Sequence, residues 1–241
     1  MASISARTGP RRQLALFLAA VLVMQFGYPI SLHGPLWTVL YLLGYAAMIA
    51  FGIRVVGGAR RQQYPYLILG ALVVLACAWF AFAQDNPLAQ LLMLCSVGLF
   101  QLALLVRLFE RIMHARRHRL PTTDVLLMAV CAYLLLGGVF AVLFNVVETA
   151  IPGSFVDSAG TDPLVWQGML YFSYVTLTTL GFGDVLAVAP WARSLVALEA
   201  VLGTLFLAIV IARLVGSIDS TEPRQTHTNT AAAPPPSDHV G

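Results

Sequence analysis

The stretch Thr176–Asp184 reads T-L-T-T-L-G-F-G-D and lies between two long apolar segments, Val125–Val147 and one from about Pro190 to Val215. Gly181 and Gly183 alternate with Phe182. Glycine accepts backbone angles that a Cβ forbids, so successive carbonyls can turn toward one axis while the ring between them points away. The run leading in, Leu164–Leu180, is apolar but interrupted by Gln167, Ser173 and several threonines. It is too short and too polar for a full crossing, which takes about 20 mostly apolar residues. A re-entrant helix followed by a loop fits it, because non-helical backbone at membrane depth must be buried in protein or line water.

Composition supplies the membrane that this reading needs. The chain has 241 residues, 59% hydrophobic and only 10% charged, with a mean hydropathy of +0.81. That places it among polytopic membrane proteins. Four further spans precede the loop: Leu14–Ile30, Pro35–Ile53, Tyr64–Phe82 and Leu88–Leu108. The expected fold class is an all-α membrane protein with six transmembrane helices and a re-entrant helix and loop between helices five and six. The charges orient it. With a cytoplasmic N-terminus, Arg7, Arg11, Arg12, Arg54, Arg60, Arg61, Arg107, Arg111, Arg116, Arg117, Arg119, Arg213 and Arg224 fall inside, and of the arginines only Arg193 falls outside. This obeys the positive-inside rule and predicts cytoplasmic termini in the cell's inner (plasma) membrane. The net charge of +3 is therefore topological, and no nucleic-acid partner is expected. Cys77, Cys95 and Cys131 lie within apolar segments and read as packing residues. No convincing small-residue cleavage site follows the first segment, so it reads as a span.

The chain divides into a cytoplasmic N-terminus (1–13), a four-helix domain (14–108), a basic amphipathic linker (109–123), a C-terminal unit (124–216) and a polar, Pro-rich tail (217–241) that reads as disordered. In Arg107–Arg119, Leu108, Phe109, Ile112 and Met113 recur at helical spacing among arginines. The segment is either a charged topological anchor or a surface helix that acts mechanically on the fifth span. Pro121 ends it, and Thr122 or Asp124 can cap the next helix.

A dehydrated cation needs oxygen ligands in place of its water, and rings of backbone carbonyls can supply them. T-T-L-G-F-G-D, after an apolar helix and before a spanning one, resembles the selectivity filter of the potassium-channel pore-domain family. The resemblance covers roughly Asp124–Gly216, with its specific motif confined to the loop. It implies that Thr179, Leu180, Gly181, Phe182 and Gly183 line a pathway. The carbonyls of Thr179–Phe182 and the Thr179 hydroxyl would bind K+, with Thr178 supporting them. One filter strand cannot ring an ion, so the resemblance implies a homotetramer in the lipid bilayer. It further implies passive, potassium-selective conduction with no cofactor, K+ being the permeant ion. Trp191 and Arg193 fit the outer start of the family's inner helix. Gly203 falls where that family often has a hinge glycine, although close helix packing also explains a glycine there. Leu180 replaces the more usual valine and Phe182 the more usual tyrosine, which leaves a nonselective cation channel as the alternative. Val175 stands where some bacterial channels carry a glutamate that pairs with the filter aspartate. Asp184 must then find another partner, and Tyr171 is the candidate.

Asp162 can act as N-cap for the helix before the loop, with Pro163 in its first turn. The C-terminal end of that helix, near Thr178, would favour a cation beyond it, and Trp166, Tyr171 and Phe172 would pack around the loop. Glu199 is a carboxylate deep in the sixth span, where a charge is costly. It either braces the loop from behind or is neutral and hydrogen-bonded within a helix interface. Glu148, Asp157 and Asp162 precede the loop with no basic residue among them. They either enrich cations locally or form a merely solvated segment. A voltage sensor needs several arginines along the fourth helix, and Leu88–Leu108 carries only Arg107. Intrinsic voltage gating is not expected. No Ser/His/Asp, metal-ligand or phosphate-loop set points to an enzyme, and His114 and His118 read as part of a solvated basic face. A non-conducting membrane sensor or assembly subunit is the alternative from another class.

Overall fold

The computed structural model describes residues 8–29, 35–56, 60–83, 86–115, 120–158, 160 and 164–218. The helices are α1 (Thr8–Phe26), α2 (Pro35–Val56), α3 (Arg60–Phe82), α4 (Pro87–Met113), α5 (Thr122–Ala150), α6 (Trp166–Leu177) and α7 (Pro190–Ile218). Among the described residues, four helical stretches are long and apolar enough to cross a membrane: Gln63–Phe82, Pro87–Met113, Thr122–Ala150 and Pro190–Arg213. Each coincides with a span expected from hydropathy. α6 has 12 residues, well short of a crossing.

The helix boundaries obey local chemistry. Asn86 caps α4, accepting from the backbone N–H of Leu88 (2.9 Å) and Ala89 (3.4 Å), with Pro87 in the first turn. The cap expected from Thr122 or Asp124 does not form. Pro121 holds the N-cap position of α5 without a side-chain bond. Asp124 is instead drawn to Arg11 of α1 (Nε to Oδ1, 3.3 Å), whose Nη2 also donates to Thr123 Oγ1 (2.8 Å). A separate linker helix is also absent over the described part of 109–123. α4 runs on as one helix to Met113, with Leu108 and Ile112 buried. Arg7, Arg116, Arg117, Arg119, Arg224 and the tail beyond 218 lie outside the described residues.

Arginines gather several helix ends at one end of the bundle. Arg213 on α7 donates through Nη1 to the carbonyls of Ile112 (3.1 Å) and Met113 (2.8 Å) at the end of α4. Arg111 bonds the Val55 carbonyl at the end of α2. With the Arg11–Asp124 pair, these contacts bring together the N-terminal ends of α1 and α5 and the C-terminal ends of α2, α4 and α7.

The opposite end departs from the all-helical expectation. β1 (Phe155–Asp157) pairs antiparallel with β2 (Val185–Ala187), in the register Phe155↔Ala187, Val156↔Leu186 and Asp157↔Val185. Phe155 and Val185 point inward, as the two-residue period of a strand allows.

Two cores result. The larger joins α1 to α5 and reaches Phe206 of α7. The smaller joins α5, β1, α6, β2 and α7 through Phe140, Phe144, Phe155, Met169, Phe172, Val185 and Ala192. Within it, the rings of Phe144, Phe155 and Phe172 pack in a mutual triad with centroids 5.3, 5.4 and 5.6 Å apart. This triad anchors the outer sheet, and with it the segment just after the T-T-L-G-F-G-D loop. α7 and α3 are the least covered: 17% and 22% of their apolar stretches are buried, against 67% for α5.

Candidate functional site

α6 is registered against α5 by three hydrogen bonds. Tyr133 Oη donates to the Leu177 carbonyl (3.0 Å), Tyr174 Oη to the Leu134 carbonyl (2.8 Å), and Ser173 Oγ to the Gly137 carbonyl (2.7 Å). α7 closes on the same helix end at Gly203, where a Cβ would lie 2.6 Å from the Leu177 carbonyl oxygen. Glycine at 203 therefore has a packing reason of its own.

The end of α6 is a Schellman cap. Thr178 is the C-cap; Thr179 donates its N–H to the Thr176 carbonyl (2.9 Å) and Leu180 to the Val175 carbonyl (2.9 Å). The Tyr174 carbonyl accepts from Thr178, through both its N–H (3.1 Å) and its Oγ1 (2.7 Å). Every carbonyl from Tyr174 to Leu177 is thus taken. The left-handed position of such a cap normally holds glycine, yet here it holds Thr179 at φ 57°. A β-branched residue there is strained, a state that persists where the surroundings over-determine it and that clusters at functional positions.

Positive φ then recurs at every second residue: Thr179 at 57°, Gly181 at 59° and Gly183 at 78°, with Leu180 and Phe182 outside that region. Among the described residues, no hydrogen bond is accepted by a carbonyl from Thr179 to Gly183. The loop is exposed along its length, with Leu180 at 57% and Phe182 at 65%.

The outer end of the loop is clamped. Tyr171 Oη donates to Asp184 Oδ2 (2.7 Å), and the Val185 N–H to Asp184 Oδ1 (2.9 Å). The Asp184 carbonyl accepts from the N–H (2.7 Å) and hydroxyl (2.8 Å) of Ser158. The tyrosine hydroxyl holds the Asp184 carboxyl below its ordinary 3.8. Glu148, a candidate for the outer negative field, instead closes a turn: its Oε1 accepts from Gly153 N–H (2.8 Å) and its Oε2 from Phe155 N–H (3.0 Å). Asp162 and Pro163 lie outside the described residues, and α6 begins at Trp166 with Val165 as an N-cap that makes no side-chain bond. Phe172 enters the aromatic triad and Trp166 packs on the larger core.

Glu199 is fully buried, and its Oε1 lies 2.5 Å from Ser173 Oγ. A hydroxyl has one proton, and the Gly137 carbonyl can only accept. If Ser173 donates to Gly137, the proton between Ser173 and Glu199 is the glutamate's. Glu199 is then a neutral acid that ties α7 through Ser173 to α5. Its Oε2 has no partner among the described residues, which a neutral acid tolerates better than a carboxylate does. Sequence reasoning does not find Ser173, Tyr133 or Ser158. Ser173 shows only as a polar break in an apolar run, and Ser158 gives no signal at all.

Residues 128–219, from within α5 to just past α7, match the family model described as Ion channel. A segment of 81 residues is 36% identical to the inward rectifier potassium channel Kirbac3.1 of Paramagnetospirillum magnetotacticum. That match covers 32% of this chain and 24% of the relative, so the chain spans about a quarter of the relative's length. Over this segment the resemblance to the potassium-channel pore-domain family is borne out. With the four long apolar helices, it makes the chain a multi-pass membrane protein.

The clamp and the buried acid can each be tested. A carboxyl held below its ordinary value stabilises the clamp above 3.8 and loses that contribution as pH falls through the lower folded value. Tyr171→Phe should therefore move the acid midpoint of Asp184 upward toward 3.8, as read by carboxyl NMR titration; an unchanged midpoint would refute the clamp. Glu199→Gln keeps a neutral donor to Ser173 and should unfold within about 1 kcal/mol of wild type, whereas Glu199→Ala should lose about 1–3 kcal/mol. Equal losses for the two variants in denaturation would contradict the neutral acid.

Proposed function

We propose that the chain is a potassium-selective channel subunit that conducts K+ passively through a homotetrameric pore. In this reading α1–α5 and α7 cross the membrane, and α6 with the loop re-enters from the outer side. The observation that carries the proposal is the contrast at Thr178. The carbonyls before it are all bonded, while those of Thr179–Gly183 have no partner among the described residues and run along an alternating backbone. The carbonyls of Thr179–Phe182 and the Thr179 hydroxyl are the ligands, replacing the hydration shell of the ion. Tyr171 and Asp184 hold the outer end of the filter, and Ser173 with Glu199 holds α6 from behind.

Four copies are proposed because a single strand leaves the loop and most of α7 uncovered. The relative's name supports potassium as the ion. The arginine-rich end of the bundle is assigned to the cytoplasm, with both termini on that side of the inner membrane. Arg107, at the cytoplasmic end of α4, pairs with Glu110 (3.1 Å) and supplies no ladder of gating charge. Voltage dependence is therefore proposed to be shallow. A nonselective cation channel is the second reading, favoured by Phe182, which has no hydroxyl to brace the filter.

In liposomes, purified wild-type protein should pass potassium in preference to sodium, and Gly181→Val should abolish selectivity or conduction. Equal sodium flux would remove the selectivity claim, and wild-type flux after Gly181→Val would remove the filter assignment. Thr179→Gly separates strain from function. It should stabilise the fold by about 1 kcal/mol by relieving the left-handed threonine, while lowering potassium selectivity because the hydroxyl is lost. Lower stability with unchanged selectivity would contradict both roles.

A further inference from the structure

The peptide unit joining Leu177 to Thr178 is the last before the loop to be held at both ends. Its N–H, on Thr178, donates to the Tyr174 carbonyl at 3.1 Å. Its carbonyl, on Leu177, accepts from Tyr133 Oη at 3.0 Å, a bond between residues 44 apart in sequence. Among the described residues no backbone N–H reaches the Leu177 carbonyl, and Tyr133 is its one hydrogen-bond donor. Past this unit, Thr179 and Leu180 donate their N–H groups back to α6, and no carbonyl from Thr178 to Gly183 accepts a bond among the described residues. The ring of Tyr133 meets Phe206 of α7, with centroids 5.7 Å apart and planes 42° apart. Phe206 is buried and Tyr133 half-buried. Gly203, one turn earlier on α7, brings that helix up to the same Leu177 carbonyl.

A tyrosine hydroxyl lies at the far end of a rigid ring, so packing that fixes the ring also fixes the hydroxyl. A peptide unit held at both ends rotates only by breaking a bond, and one held at its N–H alone is freer to turn. Two residues beyond Leu177, Thr179 sits at φ 57°, a strained state that persists where its surroundings over-determine it. The Tyr133 bond is the restraint from another element that lies nearest to it in the chain. We propose that Tyr133 is a specificity-determining positioning residue. Its ring is seated on Phe206, and its hydroxyl holds the Leu177–Thr178 unit and so fixes where Thr179, the first proposed ligand, begins. Tyr133 touches no ion and acts through the backbone. This role rests on the reading of the loop as a potassium filter and deepens it, because ligands discriminate only as well as they are held.

The test is the potassium-to-sodium permeability ratio of the purified full-length chain in planar bilayers. Tyr133→Phe keeps the ring and loses only the hydroxyl, and its ratio should fall about fivefold, the equilibrium equivalent of one hydrogen bond. Tyr174→Phe is the matched control. It loses a bond of the same kind between the same two helices, but one that ends within α5, on the Leu134 carbonyl (2.8 Å). Its ratio should stay at the wild-type value. Phe206→Leu unseats the Tyr133 ring and should lower the ratio in the same direction. Added to Tyr133→Phe it should lower the ratio no further, since the hydroxyl it positions is already gone. An unchanged ratio in Tyr133→Phe, or an equal fall in Tyr133→Phe and Tyr174→Phe, would overturn the role of Tyr133 and leave the filter reading standing. Should Tyr133→Phe fail to fold, Phe206→Leu decides, and an unchanged ratio there overturns the role. A wild-type chain with no preference for potassium would overturn the filter reading, and this role with it.

Discussion

The arrangement depends on one constraint, which is that backbone polar groups away from bulk water must find partners. At the end of α6 that requirement is met completely. Thr178, Thr179, Leu180 and Tyr133 take the last four carbonyls of the helix. The next carbonyls accept no hydrogen bond among the described residues, and positive φ recurs at Thr179, Gly181 and Gly183. A cation is the partner proposed for these oxygens. Strain at Thr179 is tolerated because the tyrosine and serine bonds to α5, the approach of Gly203 and the Asp184 clamp hold both ends of the loop.

The helices before the loop serve this site by position. α1 and α4 pack on α5, and Phe26 of α1 meets the ring of Tyr174 on α6 with centroids 5.0 Å apart. At the far end, Arg213 closes the carbonyl end of α4 and couples α7 to it. α4 thus touches the C-terminal unit at two places, α6 through the larger core and α7 through one arginine.

Much of this is legible in the sequence because hydropathy and glycine carry strong local signals. Four of the expected spans emerge from apolar run length, and Gly181 and Gly183 mark positions where positive φ is needed. Pairing choices are not legible. Asp124 reads as a helix cap because its local sequence fits one, but Arg11, 113 residues away, outcompetes the backbone for its carboxylate. Trp166 and Phe172 are both expected around the loop, and they join two different cores, a division that spacing alone does not show. The short sheet escapes because three-residue strands carry no periodic signal. Ser173, Tyr133 and Ser158 stay hidden because a lone hydroxyl in a sequence does not announce which carbonyl it will meet.

The central claim is that the oxygens of Thr179–Phe182 select potassium, and the reversal potential of the purified protein in a planar bilayer tests it most directly. With potassium salt on one side and sodium salt on the other, the account predicts a reversal potential displaced far toward the potassium equilibrium value. A reversal near zero would show that the row of carbonyls does not discriminate between the two ions.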